Sequence, residues 1–336
     1  MHRASSRILV AVVCLMLISA TAFAQYKMTK LVSNVSGAKH TDTELVNAWG
    51  LAYAPNLPFW ISDEGTGLST LYKASGVKQS LVVTIPPASG TGKGSPAGMV
   101  YNGSSEFKID TWTSAFMFST LDGTISGWSH FEPNNALIAV NNSGSGAVYT
   151  GLAITSHASG NHIYAADFAN NKVDVYDGNF NFVTSFTDHS LPAHFAPYGV
   201  QDINGQVYVA FADNTGGSGG YIDIFGEDGT FVKTLSSDSH LNHPWGMAVA
   251  PSNFKALSNT LLVGNVLSPG GTINGYNLTT GAFVGTVADK KGHALQIDGL
   301  WGIEFGGGSA ANGKTNQLFF TAGPNGYANG LFGVIQ

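Results

Sequence analysis

Apolar residues run along this chain in short stretches separated by Gly, Asn, Asp and Ser, and six of the stretches open on a glycine. They are Trp49-Gly50-Leu51-Ala52-Tyr53, Ala97-Gly98-Met99-Val100-Tyr101, Thr150-Gly151-Leu152-Ala153-Ile154, Tyr198-Gly199-Val200, Trp245-Gly246-Met247-Ala248-Val249 and Trp301-Gly302-Ile303-Glu304-Phe305. From Gly50 to Gly302 the glycines stand 48, 53, 48, 47 and 56 residues apart. Within a repeat the apolar pattern has a period of two. In the third repeat Val173 and Val175 alternate with Asp174 and Tyr176, and the runs 148–155, 161–167, 172–176 and 182–186 are divided by turns such as Asp177-Gly178-Asn179. Short alternating runs bounded by turn residues predict strands, and four strands in a repeat of about fifty residues predict one blade of a β-propeller. No stretch carries a 3.6-residue apolar period, so hardly any helix is expected. The reading is an all-β, six-bladed propeller of four-stranded blades.

The sixth repeat is one strand short, with runs at 301–305, 317–322 and 330–335 only. Residues 26–33 precede the first repeat and have the make-up of an outer strand, so they are expected to complete the last blade and remove two free edges. The leading glycines fit a crowded axis, where a residue without Cβ lets strands approach. The aromatics before them, Trp49, Tyr198, Trp245 and Trp301, are expected to wedge between neighbouring blades. An acid or amide recurs where the second strand turns into the third (Asp63, Asp122, Asp167, Asp213, Asn265) and reads as a turn cap.

The segment Tyr164-Ala-Ala-Asp167-Phe-Ala-Asn170-Asn171-Lys-Val-Asp-Val-Tyr176 resembles the NHL-repeat pattern of six-bladed propellers. Further stretches, including Leu45-Val-Asn-Ala-Trp-Gly-Leu-Ala-Tyr-Ala-Pro55, Asp122-Gly-Thr-Ile-Ser-Gly-Trp128 and Pro244-Trp-Gly-Met-Ala-Val-Ala-Pro251, are similar to an uncharacterised family of secreted bacterial propellers of that class. The resemblance runs over residues 25–336 and implies a single propeller domain there, with no settled activity.

Composition changes the picture in two ways. Arg3 and Arg7 followed by an apolar run over 8–20 and by Ala22-Phe23-Ala24 read as a signal peptide cut after Ala24. This predicts a secreted or periplasmic protein without stable membrane insertion. Cys14, the chain's only cysteine, lies in that segment, so the mature chain has no thiol chemistry. Only 11% of residues are charged and the net charge is −6. A weakly acidic surface without Lys or Arg clusters argues against nucleic acid as a partner, and a monomer is expected.

Candidate chemistry is sparse. Loops between blades and turns from second to third strand share one face of a propeller. That face is expected to be the ligand-binding one and to carry His40, His194, His240, His243 and His293 with Asp63, Asp122, Asp167 and Asp213, leaving His157 and His162 on the other. Imidazoles and carboxylates there offer donors for one divalent metal ion or a general base, and His243, Asp298 and Asn47 precede the inner strands of adjoining blades. Glu304 falls two residues after Gly302, on the side of the strand that faces the channel, and is counted with His243, Asp298 and Asn47 as a candidate metal ligand. Two functions fit: a binding module for an extracellular or envelope ligand such as a glycan or peptide, or a metal-dependent hydrolase or lyase of the lactonase kind.

Overall fold

The alternating runs fold as strands because each places one set of side chains against the preceding blade and the other against the next. The computed structural model describes residues 26–155 and 160–336; residues 1–24, read above as a signal peptide, and His157 lie outside the described residues. Six antiparallel sheets stand around an axis. Their inner strands are Ala48–Tyr53, Pro96–Tyr101, Tyr149–Thr155, Phe195–Ile203, Pro244–Val249 and Leu300–Phe305, in blades one to six. Blade four has the longest inner strand. Asn204 and Gly205, both at positive φ, turn it directly into Gln206–Asp213, so pairing runs on to Ile203 opposite Gln206. Among the described residues helix is limited to two 3₁₀ turns, Ser143–Ser145 and Lys255–Leu257.

Ring closure follows the expected route. Met28–Ser33 pairs antiparallel with Leu331–Ile335, from Met28 opposite Ile335 to Ser33 opposite Leu331, and forms the outer strand of blade six. Two residues, His40–Thr41, then pair parallel with Val32 and Ser33 and cover that strand's far edge.

Hydrophobic side chains form one cluster at each junction between blades. Phe59 of blade one packs on Phe319 of blade six at 4.4 Å between ring centres, and Trp60 stacks on Phe116 of blade two at 4.2 Å. Each fully buried aromatic contributes about 1.5–3 kcal/mol. Stability is therefore spread around the ring. Tyr26 is pinned at the junction of blades five and six, its hydroxyl donating to the Phe254 carbonyl at 2.9 Å.

The axial glycines act as the crowding argument requires. A Cβ on Gly50 would lie 2.4 Å from the Ala97 carbonyl oxygen, on Gly199 2.1 Å from that of Trp245, and on Gly246 2.5 Å from that of Trp301. The aromatics beside them do something else. Trp49, Trp245 and Trp301, with Tyr198 packed against them, form a seventh cluster on the axis instead of wedging between blades. Trp49 stacks on Trp301 at 3.5 Å and meets Trp245 at 5.9 Å. It also reaches Tyr198 at 6.4 Å, although blades one and four stand opposite each other in a six-membered ring. Rings from opposite blades touch only across the axis. The physical reason is that each side chain precedes a glycine whose neighbouring blade backbone fills the space to the side, leaving the axis as the free volume.

Candidate functional site: the axial channel

Each inner strand starts at the face where inter-blade loops and second-to-third turns meet, the loop face, and ends at the opposite face. The aromatic cluster lies at the loop-face end. Trp49, Trp245 and Trp301 are 5%, 8% and 2% exposed, so this end of the channel is plugged. Trp301 is fixed by its indole N–H, which donates to Asn47 Oδ1 at 2.9 Å, and Trp245 by donation to the Thr150 carbonyl at 3.2 Å.

Below the plug the channel is narrow, about 50 Å³, and walled by the six glycines and the residues that follow them. It widens at the opposite face into a cavity of about 340 Å³. Sites for small molecules occupy roughly 300–1,000 Å³, so the cavity suits a metabolite-sized group. Its wall comes from the ends of the inner strands: Tyr53, Tyr101, Gln201, Asp202 and Glu304 supply the polar atoms, and Ala52, Val100 and Ala153 the small apolar ones. Glu304 and Gln201 line both the channel and the cavity. Tyr53 has room because Gly307 lacks a Cβ, which would lie 2.6 Å from the Tyr53 ring.

Burial raises the Glu304 carboxyl to about 7, with the Phe305 amide pulling weakly the other way. Burial also pushes the Tyr53 hydroxyl up to about 12, and the nearby Glu304 charge adds to that. A carboxyl that titrates near neutrality can accept or donate a proton, or hold a cation. The same face presents an exposed aromatic stack on blade two, Trp112 on Phe131 at 3.5 Å, in the connections that follow its first and third strands.

The residues expected on the loop face are there for the most part but stand apart. His194 approaches Asp213 at 3.8 Å. His240 stacks flat on Phe283 at 3.7 Å and bonds Asp238, and His293 lies 3.5 Å from Asp289. His243 bonds Asn242 at 2.9 Å. The exception is His40, which sits on the outer rim against Gly76 in the hairpin between the third and fourth strands of blade one. The recurrent acids cap backbone. Asp167 accepts from the amides of Val148 and Asn170 at 3.1 and 3.3 Å, Asp122 from Ala88 at 2.6 Å, and Asp213 from Thr215 at 2.7 Å. Asp63 accepts from the Thr70 hydroxyl at 2.7 Å, and burial holds its carboxyl well above the usual range.

The residues expected to hold a metal at the loop-face mouth each take part in hydrogen bonds. Asn47 donates its amide N–H to Glu64, and its oxygen accepts from the Trp301 indole. Asp298 accepts from Ser268 at 2.6 Å and from the Asn325 amide at 2.9 Å. Glu304 lies six residues beyond Asp298, the last four of them along the strand from Leu300, and on the far side of the plug. Among the described residues no three His, Cys, Asp or Glu side chains gather in a metal-holding group. Asn47 and His243 hold equivalent positions, both in the left-handed region at φ 46° and 50° just before an inner strand, and both amides bond the neighbouring loop.

Tyr53, Tyr101 and Asp202 are site residues that the repeat pattern did not single out. The signal was available: they stand three residues after Gly50, Gly98 and Gly199, one place beyond the position that marks Glu304.

No family model matches the chain. It is 31% identical over 337 residues to "Uncharacterized protein R648" of Acanthamoeba polyphaga mimivirus, covering 94% of this chain and 81% of that protein. "Uncharacterized protein L690" of the same virus is 30% identical, with 94% and 86% covered. The chain belongs to the family of these proteins. Both relatives are viral, so the bacterial attribution gains no support from them, and they say nothing of secretion. Among solved structures it is similar to virginiamycin B lyase from Staphylococcus aureus, with a TM-score of 0.57 and 11% identity over 93% of this chain and 99% of that one. It is also similar to the WD40 β-propeller domain of Doa1, at 0.55 and 11% over 91% and 96%. At that identity the likeness shows the propeller fold alone.

Proposed function

We propose that this protein is an exported binding propeller whose ligand, a metabolite-sized part of a glycan, peptide or other extracellular or envelope component, enters the axial cavity from the face opposite the inter-blade loops. The observation that carries the reading is the asymmetry of the channel. One end is sealed by stacked tryptophans, and the other opens through a polar, tyrosine-bearing cavity of about 340 Å³. Export rests on the charged, apolar and small-residue segments within residues 1–24, and N-terminal sequencing of exported protein should begin at Gln25.

The test is a thermal-shift screen of small metabolites and oligosaccharides on three proteins. Ala52→Phe fills the cavity, and His194→Ala alters the loop face. Stabilising compounds should be lost with Ala52→Phe and kept with His194→Ala. Retention by Ala52→Phe with loss in His194→Ala would overturn the placement. A lyase or hydrolase is the second reading, favoured by a Glu304 carboxyl that titrates near 7 and would serve as general acid or base. Turnover of a bound compound by wild type, abolished in Glu304→Gln with binding retained, would distinguish it.

A further inference from the structure

The cavity wall has an uneven chemistry. Two carboxylates, Glu304 and Asp202, and two tyrosines, Tyr53 and Tyr101, line it. Among the described residues neither the cavity nor the channel above it is lined by Lys, Arg or His. Glu304 therefore faces the void without a cationic side chain to neutralise it. A carboxylate partly withdrawn from water without a cationic partner is costly, and a protein resolves that cost by taking up a proton or a cation. An anionic ligand would be repelled by Glu304. A neutral sugar would displace water from Glu304 while leaving its charge unmatched.

The tyrosines complete the pattern. Aromatic faces attract cations through the ring quadrupole, and quaternary ammonium groups are held by such rings. Tyr53 and Tyr101 come from neighbouring blades at equivalent strand positions, and Glu304 is close enough to Tyr53 for its charge to oppose ionisation of the phenol.

We infer that the cavity takes an organic cation, a primary or quaternary ammonium group seated on Tyr53 and Tyr101 with Glu304 as its counter-charge. This rests on the cavity being the ligand site. The apolar Ala52, Val100 and Ala153 receive the methyl or methylene groups beside the nitrogen.

The experiment uses choline and its uncharged isostere 3,3-dimethyl-1-butanol, titrated calorimetrically into the protein spanning residues 25–336 at pH 7. Choline should bind about tenfold or more tightly than the alcohol, since only the cation gains the ring and carboxylate attraction. Glu304→Gln, nearly isosteric and checked for native circular dichroism, should remove most of that difference. Binding should also release protons, read by repeating the titration in two buffers of different ionisation enthalpy. Equal binding of the two compounds, binding of neither, or choline affinity unchanged in Glu304→Gln would overturn the inference. If neutral compounds from the screen bind and are lost with Ala52→Phe while choline is ignored, the cation inference fails and the cavity stands. If Ala52→Phe leaves all binding intact, the cavity itself is the wrong site.

Discussion

Replacing Gly199 by alanine tests the physical basis of the ring directly. The added methyl would lie 2.1 Å from the Trp245 carbonyl oxygen, 2.8 Å from its carbonyl carbon and 3.0 Å from its Cα. All three atoms are main chain, so no change of rotamer relieves the clash. Blades four and five must part at the axis, which disturbs the tryptophan plug as well. Insertion into a well-packed site costs typically about 1–3 kcal/mol, and a backbone obstacle puts Gly199→Ala at the upper end. At Gly151 the same methyl meets Tyr198 oxygen at 3.0 Å and Val200 nitrogen at 3.1 Å, so a small shift suffices. About 1 kcal/mol is expected there, at the low end of that range. Gly144 has nothing within 4 Å and serves as control. With about 2–4 °C per kcal/mol for a chain of this size, thermal unfolding by circular dichroism should fall by about 6–12 °C for Gly199→Ala and by about 2–4 °C for Gly151→Ala. Gly144→Ala should melt with wild type. If Gly199→Ala does so too, or if the order of the two axial sites is reversed, close approach of neighbouring backbones is not the reason for these glycines.

Removing residues 26–33 should leave Leu331–Ile335 as a bare edge and strip Tyr26 from the blade five–six junction, giving aggregation or a clear loss of melting temperature; a truncated chain that stays monomeric and melts like the full one would refute closure by that strand. Stability should also fall as pH rises from about 5 to 8. Glu304 holds its proton more tightly folded, at about 7, than at its ordinary 4.5, so its stabilising contribution is complete below the lower value and is lost as pH climbs through the higher. With about 1.4 kcal/mol per tenfold change in proton affinity the ceiling is about 3 kcal/mol, and contact with channel water reduces this to about 1–2 kcal/mol. Urea titrations across the range should show a shallower fall in Glu304→Gln by that amount. Asp223, raised to about 7 by burial and by Asp188, keeps some slope in the variant; an unchanged slope would mean that the Glu304 carboxyl is not desolvated.

The architecture was legible in the chain because it rests on local, repeated chemistry. Strand alternation, turn residues and a glycine every fifty residues or so are properties of neighbours in sequence, and they led to six blades, four strands each and an N-terminal closing strand. The capping role of Asp167 and Asp213 was equally local, since their partners lie within a few residues or in the adjoining loop. What the side chains at the axis do was decided by the ring. Whether Trp49 turns between two blades or across the channel depends on where blade four stands, 149 residues later at Tyr198, and no local pattern contains that distance. The same holds for the site. The loop histidines share a face by topology, yet they are spread around a circumference and each meets a partner within its own blade or loop. Tyr53, Tyr101, Gln201 and Glu304 look unrelated in sequence and converge because the inner strands of a propeller all end around one axis. Period and alternation determine the blades; only closing six of them into a ring determines which residues face the same cavity.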